Sequence, residues 1–365
     1  MSPFLTILFF WAFAYVATLL LYWSKWNRRL YAQKKEGEKG VSIIVPFRNE
    51  ERNLPACIAS LKKLDYPKEF FEIIFVDDHS TDSSAELVRS AGENLLTLSD
   101  NEFGKKAALT KAIQQSKFTF ILTLDADSEV PSNWLTSLIN YKNQGDFLAV
   151  GALVIYKKEK GFLNAFLNVE ICSLMAMTAG AINGKNPLMA NGTNLLFSKK
   201  AFEEVKGYEG DAYASGDDVF LVQKIAKKFG GNKIGFNSEA RAMVQTKGVE
   251  NILELFNQRA RWAGKSKAYS FTGKFITYLI GSFNVLMAFL MVLAMFEQHL
   301  IPFVLAMFTL KFAVDTILTL PVILRTQQNH LLKYLLPVAV IYPFYIVLTA
   351  VFSMFFKPLW KGRSV

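Results

Sequence analysis

The sequence predicts an α/β domain held between apolar segments of membrane-spanning length at both ends of the chain. Three observations carry that expectation. Apolar residues make up 52% of the 365 and collect toward the two termini. Residues 41–265 instead alternate short apolar runs with amphipathic stretches, the pattern of strands and helices taken in turn. Acidic residues recur directly after those apolar runs, as Asp77-Asp78 and Asp125-Ala126-Asp127.

The terminal segments come first. Leu5 to Trp23 is almost uncharged and long enough to span a bilayer, and further apolar stretches lie near Phe275 to Phe296, Pro302 to Leu324 and Leu335 to Phe356. The first reads as an anchor over 1–24. No basic residue precedes it, and Tyr22, Trp23 and Trp26 stand where a cleaved signal peptide needs small residues. Lys25, Arg28, Arg29, Lys34 and Lys35 follow it in a basic linker, 25–40, and Lys265, Lys267 and Lys274 precede the second stretch. Such an excess of Lys and Arg marks the cytoplasmic side, so an integral membrane protein of a bacterial inner membrane with its domain in the cytoplasm is expected.

Three C-terminal spans within 275–356 would leave the tail outside, whereas Lys357, Lys361 and Arg363 in the basic tail 357–365 favour inside. Pro337 and Pro343 raise a broken or re-entrant last segment that would reconcile the two. The net charge of +10 is accounted for by these flanks and by attraction to anionic lipid. The expected partner is therefore a lipid bilayer and no nucleic acid, because no basic repeat is interleaved with aromatics. Cys57 and Cys172 are too few and too far apart for a disulfide or metal framework.

Within the middle of the chain, Val41 to Pro46, Glu72 to Asp77, Asn94 to Leu98 and Phe118 to Leu124 read as strands. Glu51 to Leu64, Ser83 to Ala91, Lys105 to Gln115 and Pro131 to Tyr141 read as the helices between them. This order builds parallel strands with helices on both faces, and ligands of such sheets bind beyond the carboxyl ends of the strands. Asp82 can cap the helix near Ser83, and Asp127 or Ser128 the helix near Pro131. Capping needs one oxygen, however, and Asp125 and Asp127 supply two carboxylates with the period-two spacing of one strand face. Such a pair can share a hard divalent cation whose remaining positions are filled by phosphate.

Seven stretches occur in a fixed order: VSIIVPFRNE, DDHSTD, GKKAAL at Gly104 to Leu109, LDADS at Leu124 to Ser128, NGTNLLFSKKAFEEVKGYE at Asn191 to Glu209, SGDDVFLVQKIA at Ser215 to Ala226, and QRARW at Gln258 to Trp262. Together they resemble family 2 glycosyltransferases over the whole predicted domain. The resemblance implies a GT-A-type nucleotide-diphospho-sugar transferase fold, a Rossmann-like mixed sheet, with transmembrane helices at both ends.

The resemblance also implies roles. Pro46, Asn49, Glu50, Asp77 and Asp78 would hold the nucleoside, and Lys105 would meet phosphate or ribose, although a solvated first-turn lysine is an equal reading. Asp125 and Asp127 would carry Mg²⁺ or Mn²⁺ on the donor diphosphate. Asp218 falls on the general base and Asp217 on a supporting acid, in a Gly-Asp-Asp that replaces the Thr-Glu-Asp of many relatives. Two acids stabilising a helix start are the alternative. Gln258 and Arg261 would reach the diphosphate, and Trp262 would floor the acceptor sugar, on an interfacial amphipathic helix at 249–263; a Trp and Arg pair at the membrane surface would look alike.

Phe162 to Ile182 is also apolar, but Asn164, Asn168 and Glu170 make it an interfacial helix in preference to a span. Lys311 and Asp315, four apart in an apolar segment, would lie on one helical face and neutralise each other as an ion pair that helps hold helices together, with a snorkelling Lys311 as the other reading. The function implied is inverting transfer of a sugar, from a UDP-sugar or related donor, to a membrane lipid or lipid-linked glycan acceptor. A processive polysaccharide synthase is the alternative, with four spans few for a channel unless a homo-oligomer or partner subunit contributes. A non-catalytic nucleotide-sugar binder is disfavoured by the full carboxylate set.

Overall fold

The computed structural model describes residues 3–26, 39–210, 216–265, 269–356, 359–360 and 363–364. Arg28, Arg29, Lys34, Lys35, Ser215, Lys267, Lys357 and Lys361 lie outside the described residues, as do the side chains of Asp217, Lys265 and Arg363. The chain divides into a helical unit (Met1–Trp26, Lys158–Gly180, Gly248–Val365) and an α/β unit (Asn27–Lys157, Ala181–Lys247).

In chain order, α1 (Pro3–Lys25) opens the helical unit. The α/β unit follows with β1 (Val41–Phe47), α2 (Leu54–Lys62), β2 (Phe71–Asp77), α3 (Ser84–Ser90), β3 (Asn94–Thr97), α4 (Lys105–Gln115), β4 (Phe120–Thr123), α5 (Trp134–Gln144), β5 (Ala149–Ala152) and β6 (Val154–Tyr156). After α6 (Phe162–Asn183) come β7 (Leu195–Ser198), α7 (Lys199–Glu204), α8 (Asp217–Phe229), β8 (Ile234–Asn237) and β9 (Val244–Thr246). The helical unit closes with α9 (Ile252–Lys265), α10 (Phe271–Leu293), α11 (Ile301–Arg325), α12 (Leu335–Phe355) and a short ribbon of β10 (Leu359–Trp360) and β11 (Arg363–Ser364). The eight elements expected between 41 and 144 are all present, their ends shifted by up to three residues.

The α/β unit is a seven-stranded mixed sheet in the order β3-β2-β1-β4-β7-β5-β8. β1, β2, β3 and β4 pair in parallel, as their helical crossovers require. β7 runs antiparallel to both β4 and β5, and β5 pairs with β8 in parallel. β7 is therefore the reversed strand of this sheet. The strand VSIIVPF is buried at every position, the composition of a strand covered on both faces. Ile43, Ile44, Val45, Phe75, Phe197 and Trp134 form its core.

In the helical unit, the segments Leu8–Lys25, Phe162–Asn183, Phe271–Leu293, Gln298–Arg325 and Asn329–Phe355 are long and apolar enough to cross a membrane. They are not alike. The α6 segment is 89% buried within the protein and the other four between 28% and 39%, so α6 is a packed helix while the rest turn apolar side chains such as Phe10, Phe13, Phe275, Phe289 and Leu348 outward. α12 runs unbroken through Pro343, with Pro337 in its first turn, where a missing N–H costs little. The expectation of a helix broken at these prolines is corrected accordingly. Lys311 and Asp315 do pair, at 2.5 Å, and the Tyr15 hydroxyl donates to the same carboxylate at 2.6 Å, joining α1 to α11.

Candidate active site

The reversal of β7 decides what stands at the carboxyl edge of the sheet. Leu195, its first residue, lies opposite Thr123, the last of β4, so Asn191 to Asn194 arrive where β4 releases Asp125 and Asp127. The Asp125 N–H donates to Thr193 Oγ1 at 2.9 Å, Thr193 Oγ1 and Ser128 Oγ lie 2.8 Å apart, and Ser128 Oγ donates to Asp127 Oδ1 at 3.2 Å. Each hydroxyl has one proton, so the Ser128 proton goes to Asp127 and the Thr193 proton to Ser128. The chain of donors has one direction and ends on the carboxylate.

Asp127 is also held by Thr246 Oγ1 of β9, at 3.0 Å. Burial, and then the charges of Asp125 and Glu50, push its carboxyl up to about 6, with the Thr246 and Ser128 hydroxyls offsetting part of that rise. Asp125 receives Lys105 Nζ at 2.7 Å. The lysine at the start of α4 is therefore neither solvated alone nor remote; it is the counter-charge that the local sequence around Asp125 lacks. Asp127 and Ser128 do not cap α5, which begins at Trp134 after Asn133.

Asp218 sits in the first turn of α8. Its Oδ2 accepts from the Gly192 N–H at 3.0 Å and its Oδ1 from the Val219 N–H at 2.7 Å. Gly192 and Thr193, consecutive residues, thus hold Asp218 and Asp125 respectively. Gly216 precedes the helix at φ 103°, and a Cβ there would fall 2.7 Å from the Phe220 ring, so the Gly of Gly-Asp-Asp is required by this turn. Asp217 opens α8; its side chain lies outside the described residues.

The nucleoside candidates form a laced pair of loops after β1 and β2. Pro46 lies within β1, opposite Val76. The Asn49 N–H donates to Ser80 Oγ at 3.0 Å, Asn49 Oδ1 accepts from the Thr81 N–H at 2.8 Å, and the Glu50 N–H donates to Ser84 Oγ at 2.7 Å. Asp77 accepts from the Ser80 N–H at 3.0 Å. Asp78 is buried and accepts from the Gly104 N–H at 3.1 Å, with His79 Nδ1 3.2 Å and Arg48 4.0 Å away. Both aspartates spend acceptor capacity on fixing loops; Ser83 is the N-cap residue of α3, and Asp82, one position before it, accepts from the Ser84 N–H at 3.0 Å, so the cap expected of Asp82 is corrected to a contact beside the cap.

Sequence reasoning gave no individual role to Thr193, Asn194, Thr246 or Trp134. Asn194 is fully buried: its Oδ1 accepts from Trp134 Nε1 at 3.1 Å and its Nδ2 donates to the carbonyls of Leu153 and Ala242 at 2.9 and 2.8 Å. The signal for Thr193 and Asn194 was the polar NGTN directly before an apolar run. Thr246 carries none.

Gln258, Arg261 and Trp262 belong to the helical unit, on α9. That helix opens with a side-chain cap, the Glu254 N–H donating to Asn251 Oδ1 at 2.9 Å, while Glu254 Oε2 accepts from the Glu250 N–H at 3.0 Å. It exposes Ile252 and Leu253 while burying Leu255, Arg259 and Ala260. Arg261 Nε is buried with no hydrogen-bond partner among the described residues, and burial holds its guanidinium pKa below the ordinary value. Cys57 and Cys172 are both free and buried.

Residues 42–206 match glycosyl transferase family 2. The poly-beta-1,6-N-acetyl-D-glucosamine synthase of Staphylococcus aureus is 27% identical over 236 residues, 62% of this chain and 54% of that one. An undecaprenyl-phosphate 4-deoxy-4-formamido-L-arabinose transferase of Pectobacterium atrosepticum is 35% identical over 116 residues, 29% of this chain and 35% of that protein. The chain thus spans about half the length, or less, of these curated relatives. Among solved structures, a mannosyltransferase from Pyrobaculum calidifontis in complex with GDP-Man and Mn²⁺ superposes with a TM-score of 0.61 at 18% identity, covering 96% of this chain and 98% of that one. At that identity the likeness is one of fold: the α/β unit is a GT-A-like glycosyltransferase fold with a mixed sheet, accompanied by long apolar helices that fit transmembrane helices.

Proposed function

We propose that the chain is a membrane-anchored, inverting family 2 glycosyltransferase that moves a sugar from a nucleotide-diphospho-sugar, a UDP-sugar first among the candidates, to a membrane lipid or lipid-linked acceptor. The observation that carries this reading is the Gly192-Thr193 pair, which holds Asp218 through one backbone N–H and Asp125 through one hydroxyl. An acid suited to take a proton and an acid pair suited to a cation stand on the same two residues.

The residues fit a divalent metal. Asp127 is destabilised as an anion by burial and then by the charges of Asp125 and Glu50, and a cation relieves that repulsion. Among the described residues no three His, Cys, Asp or Glu side chains gather to hold a metal by themselves, so phosphate oxygens and water would complete the shell of Mg²⁺ or Mn²⁺. Bound at Asp125 and Asp127, such an ion supplies positive charge against the leaving diphosphate. Lys105 adds a second positive charge beside Asp125. Asp218 takes the proton of the acceptor hydroxyl as it attacks the anomeric carbon, and attack without a protein nucleophile inverts that centre. Pro46, Asn49, Glu50, Asp77 and Asp78 shape the nucleoside site, Asp217 supports the base, Gln258 and Arg261 meet the diphosphate, and Trp262 offers an indole face to the acceptor. The Nε of Arg261, buried and without a hydrogen-bond partner among the described residues, is suited to an anionic ligand.

The Lys and Arg residues flanking the apolar segments support a cytoplasmic α/β unit at a bacterial inner membrane, since such residues are in excess on the cytoplasmic side. A processive polysaccharide synthase is the second reading, favoured by the similarity to the poly-N-acetylglucosamine synthase. Detergent-solubilised protein with Mn²⁺, radiolabelled UDP- and GDP-sugars and a total lipid extract separates the two. Label in one discrete organic-soluble band supports the lipid acceptor, label in large water-soluble material supports the synthase, and nucleotide-sugar binding with no transfer refutes both.

A further inference from the structure

Arg259, inside the QRARW stretch, has no role in the reading above, yet it is among the most buried charges of the helical unit. Its Nε lies 3.1 and 3.3 Å from the two oxygens of Glu170 on α6, and a terminal nitrogen of the same guanidinium also bonds Glu170. Both side chains are 6% exposed. The Tyr345 hydroxyl, from α12, donates to Glu170 Oε1 at 3.1 Å. A buried carboxylate is thereby satisfied by three donor atoms of two side chains, and α6, α9 and α12 meet at one charge pair.

The remaining edges of the guanidinium face the functional strip. Its other terminal nitrogen donates to Gln258 Oε1, and the Trp262 ring lies under Arg259 Cζ at 4.1 Å. Trp262 follows Arg259 by three positions, which sets the two on one helix face. An arginine can only donate. Gln258 must therefore turn its carbonyl to Arg259 and present its N–H₂ elsewhere, where it suits an acceptor-rich ligand such as a diphosphate. The indole plane is set in the same way, stacked against a guanidinium whose fork is fixed by Glu170. Lysine in place of Arg259 would keep the charge and lose both constraints.

We propose that Glu170 is a positioning residue, which acts through Arg259 to fix the amide orientation of Gln258 and the plane of Trp262. The inference rests on the reading of α9 as a ligand-binding helix. Gln258 and Trp262 contact the ligands; Glu170 and Tyr345 reach no ligand and set the angle at which these side chains are offered. A purely stabilising ion pair would make a different prediction, because a folded variant would keep the Trp262 environment.

The test labels the full-length protein with 5-fluorotryptophan and assigns the Trp262 fluorine signal by its loss in Trp262→Phe. In Glu170→Gln the Trp262 signal shifts or broadens while those of the other tryptophans hold, and kcat/KM for the acceptor falls about 10- to 100-fold, the loss expected of a misaligned contact. Arg259→Lys, which keeps the charge but not the fork, shows the same shift and loss. Should Glu170→Gln fail to fold, Tyr345→Phe, which deletes one oxygen, decides: the same signal moves and kcat/KM falls about threefold. An unmoved Trp262 signal in every variant that folds, or kcat/KM within about twofold of wild type there, overturns the proposal. The fluorine spectrum is recorded without substrate, so a wild-type protein that transfers no sugar sinks the functional reading and leaves this result to stand or fall by itself.

Discussion

Replacing Asp218 by Asn changes one atom and separates two explanations of the acid at the start of α8. As a general base Asp218 should contribute about 10² to 10⁴ in rate, or roughly 2.7 to 5.5 kcal/mol of barrier. Asn removes that entirely. The substitution also has a structural cost that the geometry allows to be sized. Each carboxylate oxygen accepts one backbone N–H, from Gly192 at 3.0 Å and from Val219 at 2.7 Å. In either orientation the amide of Asn would set an N–H₂ against one of those N–H groups, leaving a donor unsatisfied at about 1 to 3 kcal/mol. Thermal unfolding should therefore shift down by roughly 2 to 4 °C per kcal/mol for a unit of this size. Single-turnover transfer measured well below the unfolding midpoint should fall at least about 100-fold, with nucleotide-sugar affinity within about threefold. If the acid serves only the helix dipole, the rate would stay within about threefold of wild type once the folded fraction is equal, because a dipole contribution of about 0.3 to 1 kcal/mol touches stability alone. That outcome would refute the base assignment.

Three further expectations follow from the same edge of the sheet. Asp127→Ala, or chelation of the wild-type protein with EDTA, should abolish metal-dependent nucleotide binding in a calorimetric titration; unchanged binding in either would remove the metal from the scheme. Lys105→Met takes the counter-charge from Asp125, so Mn²⁺ alone, followed by electron paramagnetic resonance, should bind up to about tenfold more tightly while the donor KM rises by a similar factor, a shift of about 1.4 kcal/mol each way. Equal Mn²⁺ affinity with and without Lys105 would contradict the pairing. Asn194→Ala leaves the Trp134 N–H and the carbonyls of Leu153 and Ala242 without their partner in a fully buried site, and should destabilise the α/β unit by about 2 to 5 kcal/mol. A urea midpoint unmoved by this change would mean that water replaces the side chain.

Much of this architecture was legible locally. The strands and helices between 41 and 144 show in the sequence because a period of two or 3.6 is written into adjacent residues, and the acidic groups at Asp77, Asp78, Asp125 and Asp127 lie directly after apolar runs. Helix ends moved by up to three residues where a turn such as Pro131 to Asn133 precedes the first hydrogen-bonded residue. Proline was over-read: Pro343 lies within a continuous α12, whose long apolar surface keeps the helix intact across it.

What the sequence determined by itself was the order of elements, the membrane-length apolar segments and the identity of the acids, because each depends on neighbours a few residues apart. Only the tertiary structure decided that β7 runs backward and carries Thr193 to Asp125, and that Thr246 holds Asp127 from 119 positions away. It alone placed Lys105 on Asp125 and Glu170 around Arg259. Periodicity reports which face of an element is buried, whereas the partner on that face is chosen by strand pairing and packing between segments with no common local signal.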